Sequence, residues 1–185
     1  MALEIAIIMG STRPNRRGEA VGHWVHAHAQ GRSGANYTLI DLRDVGLPLL
    51  DEPKSPAMGD YAHEHTRAWS ARIAPCDGFV FVSPEYNHST CAALKNALDF
   101  LYREWNNKAA GFVAYGNAGG ARAVEHLRGV CGELQIATVR QTVNLLLFTE
   151  WQEGVFLPAE RHLKSLSTLF DQVEQWGGAL KALRG

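Results

Sequence analysis

Three short stretches of this chain are almost wholly apolar: Leu3 to Met9, Gly78 to Val82 and Ala110 to Tyr115. A strand with no polar side must be covered on both faces. In soluble proteins that means a parallel sheet sandwiched between helices. The intervening sequence has the matching pattern. Gly18 to Gln30 places Val21, Trp24, Val25 and Ala29 on one helical face, and Asp60 to Ala74 buries Trp69 and Ile73. Ala92 to Tyr102 and Gly119 to Leu134 are predicted helices as well. His162 to Leu183 repeats Leu163, Leu166, Leu169, Phe170, Val173, Trp176 and Leu180 at helical spacing. Tyr37 to Asp41 and Ala137 to Leu147 supply two more strands. Residues 43–59, with Pro48, Pro53 and Pro56, read as a long loop.

Five strands alternating with five helices predict an α/β doubly wound parallel sheet with right-handed crossovers. A chain of 185 residues without linker, repeat or low-complexity tract fits one domain over residues 1–185. In such sheets ligands bind beyond the carboxyl ends of the strands, where strand order reverses. The loops after strands one, three and four should therefore converge.

Those three loops have unusual compositions. The first runs Met9-Gly10-Ser11-Thr12-Arg13-Pro14-Asn15-Arg16-Arg17-Gly18-Glu19. Small hydroxyl residues and three arginines before a helix start suit an anionic phosphate, through backbone N–H groups, the helix dipole and charge-assisted hydrogen bonds. A polar surface turn with solvated arginines fits the loop alone equally well. It carries neither a Gly-Lys-Ser/Thr ending nor Gly-x-Gly-x-x-Gly, which argues against a nucleotide-triphosphatase or dinucleotide fingerprint. The second loop is Ser83-Pro84-Glu85-Tyr86-Asn87-His88-Ser89. The third, Gly116-Asn117-Ala118-Gly119-Gly120-Ala121-Arg122, is glycine-rich enough to let backbone approach a flat ligand. Phosphate at one end and a planar ring at the other describe a mononucleotide cofactor.

At this level of detail the chain resembles the NADPH-dependent FMN reductase family. Three segments in register carry the likeness. They are Gly10-Ser11-Thr12-Arg13-Pro14 with Arg16 and Gly18; Pro84-Glu85-Tyr86-Asn87 running into Leu94-Lys95-Asn96-Ala97-Leu98-Asp99; and Tyr115-Gly116 with Gly119-Gly120-Ala121-Arg122-Ala123 and Leu127-Arg128. The resemblance implies a flavodoxin-like sheet of order 2-1-3-4-5. It implies FMN with its phosphate at Ser11, Arg13 and Arg16 (Arg17 beside them). It places the ring along Pro84, Glu85, Tyr86 and Asn87, and the pyrimidine edge at Gly116, Gly119 and Gly120. It further implies NADPH as reductant, a homodimer or homotetramer with the flavin near the interface, and a quinone, flavin, azo or metal-oxyanion acceptor. Where many members have an aromatic and a proline after Asn87, this chain has Ser89-Thr90-Cys91, so the resemblance does not fix the shape of the nicotinamide or acceptor pocket, while the flavin site is unaffected.

The residues suit that chemistry. FMN performs the electron transfer, so no nucleophile, general acid or general base is assigned. Backbone N–H groups at 86–87 and 119–120 are expected to face the ring, and Tyr86 and His88 are candidates for protonating an acceptor. Glu85 contacts the flavin or caps the next helix. His23, His26 and His28 do not share one helix face and predict no metal site.

Composition narrows the alternatives. A formal net charge of −1 gives no support for nucleic-acid binding. It also disfavours a flavodoxin-type carrier, which is strongly acidic around its flavin. A non-enzymatic flavin-binding module fits the same residues. No apolar run is long enough to insert in a membrane and no signal peptide is visible. Cys76, Cys91 and Cys131, few and widely spaced, read as reduced packing residues of a cytoplasmic protein.

Overall fold

The apolar stretches become the interior of one sheet. In a computed structural model that describes residues 2–184, β1 (Leu3–Met9), β3 (Gly78–Pro84) and β4 (Lys108–Gly116) lie side by side, with β2 (Ala35–Asp41) and β5 (Ile136–Leu146) at the edges. The order is β2-β1-β3-β4-β5 and all pairings are parallel. Every residue of β3 and β4 is buried, whereas β2 alternates buried and exposed at its start, as an edge strand does.

Side chains alternate across the pleat and build two cores. One gathers Ile8, Phe79, Phe81 and Phe112 with Trp69 of α3 (Glu64–Ile73), Leu94 and Leu98 of α4 (Ala92–Asp99), Trp105, and Leu127 of α5 (Ala121–Glu133). The other gathers Ile5, Ile7, Val80, Val82 and Val113 with Val21 and Val25 of α1 (Gly18–Ala29) and Leu166, Leu169, Phe170 and Val173 of α6 (Glu160–Lys181). The stripe of the last helix is therefore core for its inner part, while Trp176 is 48% exposed.

Element boundaries differ locally from the sequence expectation. The predicted loop 43–59 is entered through a short helix α2 (Leu42–Val45), capped by the Asp41 carboxylate and closed by Gly46 at φ +65°, and holds a 3₁₀ turn at Pro56–Met58. The helix predicted to reach Tyr102 stops at Asp99. A 3₁₀ turn, Arg103–Trp105, follows and drives Trp105 into the core, its indole N–H donating to the Leu98 carbonyl at 3.1 Å. A small antiparallel hairpin, β6 (Trp151–Gln152) with β7 (Val155–Phe156), lies between β5 and α6. It turns through Glu153 and Gly154 in the left-handed region. The three cysteines are buried free thiols.

Candidate functional site

The loops after β1, β3 and β4 leave the same end of the sheet, because all three strands run parallel, and hydrogen bonds join them. Gly10 N–H donates to the Val82 carbonyl (2.9 Å) and Glu85 N–H to the Tyr115 carbonyl (2.9 Å). Ser11, 3% exposed, shares a 2.9 Å hydrogen bond with the Tyr86 hydroxyl. The Arg13 guanidinium sits 5.5 Å from the centre of the Tyr86 ring, in cation–π range. Between the loops lies a cleft of about 280 Å³, lined by arginines 13, 16 and 17 at one end and by Pro84, Tyr86 and Gly116 further along.

The basic end is built on α1. That helix begins without a side-chain cap, so the N–H groups of Gly18, Glu19 and Ala20 have no intrahelical acceptor. Asn15, with φ +51°, turns the backbone ahead of it. The arginines are not equivalent. Arg16 forks onto Asp41 through both terminal nitrogens, one at 2.7 Å, and also donates to the Ser11 carbonyl at 2.6 Å. Its side chain is 3% exposed. Burial alone would raise the Asp41 pKa, but the Arg16 and Arg43 hydrogen bonds outweigh it and hold the carboxyl below its ordinary range. Arg17 stacks on Trp151 (5.3 Å). Arg13 is exposed and has no carboxylate partner among the described residues. Two buried side-chain atoms in this region make no hydrogen bond of good geometry among the described residues, the Tyr115 hydroxyl and Arg16 Nε, the latter 3.7 Å from a Glu19 carboxylate oxygen.

The middle loop is a tight turn. Tyr86 and Ser89 exchange two backbone hydrogen bonds (2.9 and 3.0 Å), and Asn87 and His88 occupy its tip at φ +47° and +73°. Two left-handed residues in succession are unfavourable outside glycine, and such strain gathers at functional sites. Glu85 caps a helix, but not the next one in the chain. Its carboxylate accepts from the Arg122 backbone N–H (3.1 Å) and side chain (2.7 Å) at the start of α5. Of the four backbone N–H groups expected to face a ring, those of Tyr86 and Gly119 are engaged inside their own turns. Those of Asn87 and Gly120 have no partner among the described residues.

The glycine loop needs its glycines. Gly119 and Gly120 have φ +65° and +74°, and a Cβ on Gly120 would lie 2.8 Å from the Tyr115 nitrogen. A Cβ on Gly116 would press on the Glu85 Cβ at 3.0 Å. The structure thus brings Arg13, Arg16, Pro84, Glu85, Tyr86 and Gly116 around one cleft, with Ser11 buried beside it on the Tyr86 hydroxyl, Gly119 and Gly120 folding the third loop behind it and Asn87 at an exposed tip. Sequence reasoning gave no role to Tyr115, Asp41, His126 or Trp151. The Nδ1 of His126 lies 2.9 Å from the Ser89 hydroxyl, and its ring 6.2 Å from that of His88. Asp41, His126 and Trp151 come from elements distant in sequence and no local motif announces them, while Tyr115 stands in the Tyr115-Gly116 segment quoted above but without a role until the fold sets it against α1.

Comparison with known proteins agrees with this geometry. Residues 3–149 match the NADPH-dependent FMN reductase family. The chain is 40% identical over 179 residues to an NAD(P)H-dependent FMN reductase of Schizosaccharomyces pombe, covering 93% of this chain and 89% of that protein. It is 31% identical over 185 residues to a 2-hydroxy-1,4-benzoquinone reductase of a Burkholderia species, covering 95% and 97%. In fold it resembles FerB, a flavoenzyme NAD(P)H:(acceptor) oxidoreductase of Paracoccus denitrificans, with a TM-score of 0.73 at 20% identity over 94% of this chain and 98% of that one. With a flavodoxin-like sheet, a basic helix start and two strand-end loops around one cleft, the chain belongs to the NADPH-dependent FMN reductase family and is an FMN-dependent NAD(P)H oxidoreductase.

Proposed function

We propose that residues 1–185 form one FMN-binding domain that passes reducing equivalents from NADPH to a quinone-type small molecule. The single observation that carries the site assignment is the uncapped start of α1 beside the exposed Arg13, within a cleft whose other end is aromatic and backbone-lined. Buried donors without acceptors are destabilising. An anion supplied by a ligand satisfies the open N–H groups of the helix start, and the FMN phosphate fits that requirement.

Arg13 and the N–H groups opening α1 would hold the phosphate. Arg16, already engaged by Asp41, fixes the loop by gripping the Ser11 carbonyl. Pro84 and Tyr86 would line the ring, with the free N–H groups of Asn87 and Gly120 available to its polar edge; Gly116 keeps that wall open. Glu85 holds the third loop in place through Arg122. When bound, FMN supplies the hydride chemistry. The protein's task is to orient it and leave one side accessible at the strained Asn87–His88 tip. Tyr86 and the exposed His88, whose ring lies 6.2 Å from that of His126, are the groups assigned to proton supply for an acceptor.

The quinone-type acceptor is supported by the name of the Burkholderia relative. Subunit assembly is supported by a second groove of about 390 Å³, lined by Thr12, Leu42, Leu47, Leu49 and Ala93. It adjoins the phosphate loop through Thr12, and Leu49 on its rim is 81% exposed. A second copy of this chain covering it places the flavin near the interface. Anaerobic titration of FMN-loaded protein with NADPH tests the reading. Bleaching of the flavin absorbance, and its recovery on adding a benzoquinone, are expected; no bleaching overturns it. NADPH is expected to outperform NADH in the same titration.

A further inference from the structure

The Tyr115 hydroxyl is the most anomalous polar atom at the site. Tyr115 is 5% exposed, its ring tilts against Trp151 in the core that also holds Val21 and Leu145, and its oxygen makes no hydrogen bond of good geometry among the described residues, the neighbouring Ser11 hydroxyl being shared with Tyr86. That oxygen lies over Gly18, the first residue of the 12-residue helix α1. A Cβ on Gly18 would overlap it. Tyr115 also lines the cleft together with Arg13, Arg16 and Arg17. Burial pushes its phenol pKa well above the ordinary value, so the group is protonated and available as a donor. The glycine at the helix start therefore makes room for a hydroxyl left without a well-formed hydrogen bond among the described residues.

We propose that Tyr115 is a specificity-determining residue whose hydroxyl donates to the phosphate of the bound mononucleotide, and that Gly18 leaves the room it needs. The assignment rests on the FMN reading above and deepens it. Helix N–H groups and an exposed arginine recognise any anion diffusely. A buried phenol at the helix start adds a short-range donor that an uncharged flavin cannot use. An unpaired buried hydroxyl destabilises the ligand-free protein, and the penalty is relieved only when an acceptor arrives.

The test compares FMN and riboflavin binding to apoprotein by quenching of flavin fluorescence, for wild type, Tyr115→Phe, Gly18→Ala and the double variant. Tyr115→Phe is expected to weaken FMN by about tenfold, the usual size of a hydrogen bond to a charged group, with riboflavin unchanged. The apo form of Tyr115→Phe should melt at or above the wild-type temperature, since it loses no bond. Gly18→Ala should weaken FMN clearly in wild type. It should matter less in the Tyr115→Phe background, where the hydroxyl is gone and the nearest remaining ring carbon is 3.2 Å from the new methyl. Unchanged FMN affinity in Tyr115→Phe, equal loss for both flavins, or the same Gly18→Ala penalty in both backgrounds overturns the proposal. Wild-type protein that binds neither flavin overturns the FMN reading instead.

Discussion

Arg13 and Arg16 look interchangeable in the sequence, two cations of one short loop, yet their surroundings separate them. Arg16 is buried on Asp41, whereas Arg13 lies open over Tyr86. Arg13→Ala should weaken FMN and leave riboflavin binding unchanged, with folding stability within about 0.5 kcal/mol of wild type, as for other exposed substitutions. Arg16→Ala strands the Asp41 carboxylate in a poorly hydrated place and should lower unfolding free energy by about 2 kcal/mol before any ligand is added. Urea titration of the two apoproteins, followed by flavin binding, separates the roles. Equal stabilities would show that the Asp41 pairing holds nothing together. The distinction was not legible in the sequence. Asp41 lies on another strand, and it is the parallel register of β1 on β2, pairing Met9 with Asp41, that brings the carboxylate to the loop.

Elements were far more legible than side-chain partners. The apolar periodicities of β1, β3, α1 and α6 predicted those segments closely, because burial on one face or both leaves a local imprint. The β6–β7 hairpin left none. It hangs on Glu150, a 1%-exposed carboxylate that accepts from Leu146 N–H (2.7 Å), Thr149 (2.6 Å), Arg161 (2.6 Å) and His162 (2.8 Å), an arrangement only the folded chain assembles. The carboxyl end of α3 is held in a similar way. Lys108, 2% exposed at the start of β4, donates to the carbonyls of Ile73 and Ala74 at 2.9 Å each. Burial lowers its pKa from 10.5 to about 8. Between these values the unfolded chain binds more protons than the folded one, so this residue makes stability rise with pH. The raised pKa values of the buried thiols act in the opposite sense above pH 9, so the comparison must be with Lys108→Met. The wild-type-minus-variant difference in unfolding free energy should grow between pH 8 and 10, by no more than about 1.4 kcal/mol per pH unit. A flat difference in urea titrations at pH 7.5, 8.5 and 9.5 would show that the ammonium is not desolvated.

At the scale of the whole molecule, sheet order decides where everything meets. Placing β1 between β2 and β3 puts the first crossover on one side and the next on the other, and the loops diverge around the gap that becomes the cleft. The groove beside it bears on assembly. Leu49→Asp should shift the protein from dimer toward monomer in light scattering at micromolar concentration while the melting temperature changes little, since Leu49 contributes nothing to either core. A wild-type monomer under those conditions removes the proposed interface.

Asp77 closes the far end of the sheet. It accepts from Glu4 N–H (3.0 Å) and Lys181 (2.8 Å) and pairs with Arg184. The carboxylate knot where strands begin and the proposed FMN cleft where they finish thus lie at opposite poles. An engineer seeking a hardier reductase can rework the knot's pole, by better charge pairing or tighter helix ends, and leave the working mouth untouched.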